Sequence, residues 1–315
     1  MLQKIFDIII NNDDREFQIV YLNTNYAVLN QSSKKRFDDV YFEIRVRNHK
    51  SLNHYLCGMY KNTLLNAVQA GAVQLQHYFN GNFKITTKEG INNLVTEADH
   101  AAEKAIITVI QNDFPDHFIL SEETGEIKSD SEFKWIIDPI DGTVNFSTGI
   151  PICCVSIGLE KDGKMILGAV YNPFMNELYF AQKGLGAFLN DKQIHVSQKD
   201  TVIKSCLVTG FPYTYLDSPN GPLQVFSKLV RQGIPVRRLG SAAIDLCWVA
   251  AGRFDGFYEH KLQAWDSAAG FLMVEEAGGK VTDFEGNYYS PYQPHLLATN
   301  GKIHEELLAY VRGEK

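Results

Sequence analysis

The sequence predicts an α/β protein, and three observations carry that prediction. The run Trp135-Ile136-Ile137 is apolar and rich in strand formers, and it ends in Asp138-Pro139-Ile140-Asp141-Gly142-Thr143. A short apolar run closed by turn residues reads as a strand buried on both faces. Residues 153–160 and 165–170 flank Asp162-Gly163, the pattern of a β-hairpin. From about residue 205 onward, strand-like and helix-like stretches alternate, as in an α/β sheet.

Taken in order, the elements follow from local chemistry. Residues 1–58 alternate polar clusters, such as Asn11-Asn12-Asp13-Asp14-Arg15 and Ser32-Ser33-Lys34-Lys35-Arg36, with short aromatic and β-branched runs. No helical period is sustained there. This stretch is expected to lie outside the main fold, with Met59 as an alternative start and residues 59–315 as one domain of two subdomains, about 59–198 and 199–315. Leu64, Val68, Ala72 and Leu75 share one helical face, so a helix over 60–79 should lie on a sheet. After a turn at Lys88-Glu89-Gly90, Thr96 should cap a helix over 97–113, with Asp99 in its first turn. Pro115 ends that helix, and a short strand over 118–120 runs into Ser121-Glu122-Glu123. Pro139 has no amide to donate, so the ladder of the 135–138 strand should stop at Asp138 and the chain should turn. Residues 177–181 continue the meander, and Gly184-Leu185-Gly186 reads as a turn because the GxGxxG spacing is absent. Strands are expected over 205–210, 236–239 and 254–259, with a last one over 280–283. Helices are expected over 223–232, 240–251, 265–277 and 303–312.

Composition narrows the function. The 315 residues are 45% hydrophobic and 21% charged, ordinary for a globular protein. A net charge of −7 without a dense Lys/Arg block disfavours a duplex nucleic-acid partner. Apolar runs fall short of the roughly 18 residues that a membrane span needs, and no signal peptide is evident. The 5 cysteines include adjacent Cys153-Cys154 and no CxxC, so a reducing, cytoplasmic setting is expected. The 9 histidines form no HxxxH pair, and there is no GxSxG, which argues against zinc and serine-nucleophile chemistry.

The chemistry concentrates at residues 138–143. Two nearby carboxylates imply a shared proton or a divalent cation. Gly142 permits close backbone approach, and Thr143 suits a helix start, whose free amides favour phosphate. Carboxylates for a hard cation beside amides for an anion are the layout of metal-assisted phosphate chemistry. Of the paired acids Glu122-Glu123, at the end of another strand, at least one is a further candidate ligand. Asp266, in Trp265-Asp266-Ser267-Ala268-Ala269-Gly270, opens a helix and taken alone is an ordinary cap.

Four separated motifs resemble, in order and approximate spacing, the inositol monophosphatase family. They are Asn93-Leu94-Val95-Thr96 to Asp99, Ser121-Glu122-Glu123, 135–146, and 265–270. Gly240-Ser241-Ala242-Ala243-Ile244-Asp245-Leu246, with 252–257, is similar to the bacterial members. The resemblance implies a layered α-β-α-β-α sandwich, a homodimer, and a lithium-sensitive phosphomonoesterase that uses two or three Mg²⁺ ions. It places Glu122, Asp138 and the Ile140 carbonyl on a first ion, Asp138, Asp141 and Asp266 on a second, and Glu122 within reach of a third. It casts Asp99, Thr143 and Glu122 as the groups that position or deprotonate the attacking water. It assigns the Gly142 and Thr143 amides to the phosphate, Ala242 and Glu259 to substrate hydroxyls, and Lys88 to the site's edge.

The expected substrate is inositol 1-phosphate or a related sugar monophosphate, because Val144-Asn145-Phe146 follows Asp141-Gly142-Thr143 where the bisphosphate nucleotidase branch carries Lys-Glu-Phe. Adenosine 3',5'-bisphosphate is the runner-up, and histidinol phosphate and fructose bisphosphate stay open. A regulatory binding protein that kept the fold is the alternative of another class.

Overall fold

The computed structural model describes residues 5–10, 17–23, 40–46, 49–81, 83–87, 94–212 and 221–315. Lys88 and Asn93 lie outside them. The chain divides into two units, 1–62 and 63–315. In the first, β1 (Ile5–Ile10), β2 (Phe17–Asn23) and β3 (Val40–Val46) form an antiparallel meander, a regularity that the mixed composition of this stretch conceals. Helix α1 (His49–Tyr78) starts at His49 and not near residue 60. Residues 49–57 contain neither Gly nor Pro, and the single Gly58 costs a helix only about 1 kcal/mol relative to Ala.

The elements that follow are β4 (Ile85–Thr87), β5 (Leu94–Thr96), α2 (Glu97–Asp113), β6 (Phe118–Ser121), β7 (Gly125–Ile127), β8 (Phe133–Asp141) and α3 (Thr143–Ser147). Then come β9 (Cys154–Lys161), β10 (Lys164–Asn172), β11 (Glu177–Gln182), β12 (Gly186–Leu189), β13 (Lys192–Ile194), β14 (Leu207–Thr209), α4 (Pro222–Arg231) and β15 (Val236–Arg237). The chain finishes with α5 (Ala242–Ala250), β16 (Gly256–His260), α6 (Ala264–Glu276), β17 (Lys280–Thr282), β18 (His295–Thr299) and α7 (His304–Val311).

Two sheets organise the second unit. The first has eight strands in the order β13-β12-β11-β10-β9-β8-β6-β7, and the second has five, β15-β14-β16-β18-β17. Helices α5 and α6 fill the space between them, touching β9 and β10 on one side and β18 on the other. Helix α2 packs on the other face of the first sheet at β8, and Gly71 of α1 lies against Ile106 of α2 and Val155 of β9. Helices α4 and α7 cover the outer face of the second sheet, around Val225, Leu229, Leu297 and Leu307. The layers are therefore α-β-α-β-α, as the family resemblance implied.

The sequence did not announce β18, and residues 280–283 are not the last strand. His295-Leu296-Leu297-Ala298-Thr299 holds little β-branched character. Its strand identity comes from burial between β16 and β17.

Strand β8 departs from expectation in a way that matters for the site. It does not stop at Asp138 but runs through Pro139 to Asp141. Asp138 pairs with Ser156 and Asp141 with Cys154, so a bulge at Pro139-Ile140 sets two residues against one. Residues three apart on a regular strand face opposite sides. Their partners on β9 are two apart, so the bulge brings both carboxylates to one face.

Close packing of α6 on the first sheet depends on absent side chains. A Cβ at Gly168 of β10 would sit 3.0 Å from the Ala269 carbonyl oxygen and 3.1 Å from its Cα, atoms of helix backbone that have little room to yield. Gly168→Ala is therefore expected to destabilise the protein by roughly 1–3 kcal/mol through overpacking, read as a lower urea midpoint at unchanged m-value. An unchanged midpoint would show that α6 can shift freely.

Candidate active site

A cleft of about 450 Å³ gathers most of the residues that the sequence singled out. Glu122, Asp138, Ile140, Asp141, Gly142 and Thr143 line it from the end of the first sheet, and Ala242, Glu259 and Asp266 from α5, β16 and α6. Asp99 does not line the cleft; it stands behind Thr143, whose hydroxyl donates to it at 3.3 Å.

Each carboxylate is placed by a local device. Asp99 is the N3 residue of a capping box: its Oδ2 accepts from the Thr96 amide at 2.7 Å and the Thr96 hydroxyl at 2.6 Å, leaving Oδ1 for Thr143. Its helix-capping role and its link to the cleft are therefore compatible, one oxygen serving each. Thr143 has one proton for two acceptors, Asp99 and the Ile140 carbonyl at 3.0 Å. Asp266 is likewise N3 of a capping box, with Oδ2 accepting from the Gln263 amide at 2.7 Å. Gly142 adopts φ +92°, and a Cβ there would fall 2.9 Å from the Ile152 carbonyl oxygen, so only glycine fits. First-turn amides of α3, from Thr143 on, have no partner within the helix.

Two further residues position the acids, and sequence reasoning missed both roles. Ser241 caps α5, and its hydroxyl donates to Asp141 Oδ2 at 2.6 Å while the Ala243 amide donates to the same oxygen at 2.7 Å. Glu103 of α2, 4% exposed, accepts from the Ser121 hydroxyl, from the amides of Glu123 and Thr124 at 3.2 and 2.9 Å, and from the Thr124 hydroxyl at 2.5 Å. It thereby fixes the turn that carries Glu122. A helical acid with no motif around it gives no sequence signal for such a tether.

The electrostatics are those of anions lacking a counterion. Burial pushes Asp138 well above the carboxylate range, and repulsion from Glu122, Asp141, Asp266 and Asp99 pushes in the same direction. Burial raises Asp141 to about 6 against the opposing hydrogen bonds from Ser241 and Ala243. Asp266 is raised by burial and by Asp141. Asp99 rises to about 7 and Glu259 to about 8, both mainly by burial. Asp138 Oδ1 is buried with no hydrogen-bond donor among the described residues. Among the described residues, no three of these side chains close on one point as a finished metal shell. The donor set is all oxygen, and an orphaned anionic oxygen sits within it, so these residues fit a hard divalent cation.

A sequence profile of the inositol monophosphatase family matches residues 59–315. The chain belongs to the inositol monophosphatase family. Its relatives include a protein named Nus factor SuhB from Pasteurella multocida, 42% identical over 77% of this chain and 91% of that protein. An inositol-1-monophosphatase from Synechocystis sp. is 46% identical over 71% of this chain and 78% of its own length. Among solved structures, the extragenic suppressor protein SuhB of Bartonella henselae superposes with a TM-score of 0.76 at 37% identity, covering 81% of this chain and 98% of that one. No helix among the described residues is long and apolar enough to cross a membrane.

The buried acids make stability depend on pH. Asp99 and Glu259 keep their protons to about 7 and 8 when folded, whereas the unfolded chain releases them near 4. The folded state therefore binds more protons in between, and stability falls as pH rises through those values. His117, His260 and His304, lowered to about 4 by burial, act oppositely but only below about 6.5. Without divalent cations, the melting temperature should thus drop by at least about 2 °C between pH 6.5 and 8.5. Saturating Mg²⁺ should restore more at pH 8.5 than at pH 6.5. A flat profile would contradict the burial of these acids.

Proposed function

We propose that this member of the inositol monophosphatase family is a Mg²⁺-dependent phosphomonoesterase that hydrolyses inositol monophosphate, or a related sugar phosphate, to the free alcohol and phosphate. The observation that carries the reading is the single cleft in which Asp138, with its orphaned oxygen, shares space with Glu122, Asp141 and Asp266. The Synechocystis relative's name favours the inositol ester among the alternatives.

Glu122, Asp138, the Ile140 carbonyl, Asp141 and Asp266 would hold two Mg²⁺ ions, with Glu122 reaching a third. Bound there, the metal supplies positive charge for the phosphoryl oxygens and makes water a better nucleophile. The remaining tasks belong to the chain. Amides at the start of α3, with the flexible approach allowed by Gly142, orient the phosphate. When the Thr143 hydroxyl donates to Asp99, its lone pair is left to accept from the attacking water. Asp99, raised to about 7, is suited to take up the proton that this relay delivers. Ser241 and the Ala243 amide keep one oxygen of Asp141 occupied, so that only the other is offered to the cleft. Glu259 and Ala242 line the same cleft on the α5 and β16 side, where the alcohol would lie.

Assaying purified protein with Mg²⁺ against inositol 1-phosphate, fructose bisphosphate, histidinol phosphate and adenosine 3',5'-bisphosphate tests the substrate. Inositol 1-phosphate is expected to give the highest kcat/KM, and chelation should abolish turnover. Asp141→Asn should lower kcat/KM at least about 100-fold, more than loss of an outer-shell partner costs. Retained turnover in that variant would sink the reading.

A second reading, a regulatory role of the kind that the name Nus factor describes, is favoured by the Pasteurella relative. Homodimerisation, read by light scattering, is compatible with either. Replacing the chromosomal copy with Asp141→Asn separates the two readings. Rescue of the deletion phenotype by this variant would place the physiological role in binding, and failure to rescue would place it in catalysis.

A further inference from the structure

One carboxylate that lines the cleft has no task in the reading above. Asp245 stands in the first turn of α5 and is 1% exposed, yet its Oδ1 is enclosed without a hydrogen-bond partner among the described residues. An aspartate so placed ordinarily serves the amides of its own helix start. Here the Ala243 amide goes to Asp141 and the Ile244 amide to Ser241, so that role is filled by others. Among the charged groups that act on it, Glu259 and then Asp141 oppose its ionisation and Arg238 favours it. Glu259 reaches the same space from β16, and a Cβ at Gly210 would collide with its carboxylate. Asp245, Glu259, Asp141 and Arg238 all line the cleft.

A buried acceptor with no donor is costly, and the cost is relieved when a ligand brings the donor. We propose that Asp245, acting beside Glu259, is a specificity-determining residue that accepts a hydrogen bond from a hydroxyl of the substrate alcohol, so that the cleft selects phosphate esters of polyols with adjacent hydroxyls over esters of simple alcohols. The inference rests on the reading of the cleft as a phosphate-ester site. A hydroxyl suits this place better than an ammonium group. Burial favours the neutral form of both carboxyls and raises Glu259 to about 8, a neutral carboxyl donates as well as accepts, and the Arg238 guanidinium repels a cation but donates to a hydroxyl oxygen.

The test is calorimetric, on the full-length protein with Ca²⁺ in place of Mg²⁺ to suppress turnover. The probes are inositol 1-phosphate and cyclohexyl phosphate, which has the same ring without hydroxyls. Wild-type protein is expected to bind the inositol ester roughly 10- to 100-fold more tightly. Asp245→Leu, close to isosteric but without an acceptor and checked for folding by its melting curve, should narrow that ratio several-fold. Equal affinities in the wild type, or an unchanged ratio in folded Asp245→Leu, would overturn the proposal. Tighter binding of 2-aminocyclohexyl phosphate than of inositol 1-phosphate would overturn the choice of hydroxyl. If Asp245→Leu does not fold, single-deoxy inositol 1-phosphates on the wild type decide: loss concentrated at adjacent ring positions supports the proposal, and uniform loss overturns it. Absence of Mg²⁺-dependent turnover for every ester tells against the phosphatase reading alone, because the affinity ratio is measured without turnover.

Discussion

The constraint on which this fold turns is the burial of several like charges in one place. Isolated carboxylates resist leaving water, and neighbouring ones resist each other. The protein relieves this only in part. Asp99 has Thr96, Asp141 has Ser241 and the Ala243 amide, and Asp266 has the Gln263 amide. Asp138 keeps one oxygen without any donor. The unmet remainder is a demand for positive charge, and that demand links the architecture to phosphate chemistry.

Helix α5 joins the two halves of the cleft. Its cap and first amides grip Asp141, and two residues after Ala243 Asp245 lines the cleft beside Glu259. A displacement of this helix would therefore be felt both by the acids grouped around Asp138 and by Asp245 and Glu259. Gly270 of α6 lies so close to Leu246 of α5 that a Cβ would come within 2.7 Å of the leucine side chain, which limits such displacement.

Much of this was legible in the sequence because its signals are local. Thr96 as a cap gave α2, Asp266 in a first turn gave α6, helical spacing gave most of α1, and a glycine after two acids marked the cleft. What stayed hidden is decided by distant partners. The hydrogen bond from Ser241 to Asp141 spans 100 positions, and the tether from Glu103 to Thr124 spans 21. Strand β18 exists because its neighbours bury it, not because of its own propensities. The ladder expected to stop at Asp138 continues because a proline at a bulge needs no amide partner.

That bulge has a consequence for how the sequence can vary. Side chains on a strand alternate with a period of two, and the extra residue between Asp138 and Asp141 corrects the parity of an interval of three. While the bulge is kept, inserting one further amino acid there would send one of the two acids to the wrong side of the sheet. Deleting the extra residue would instead remove the bulge and leave an interval of two, so a single deletion preserves the shared facing that a single insertion destroys.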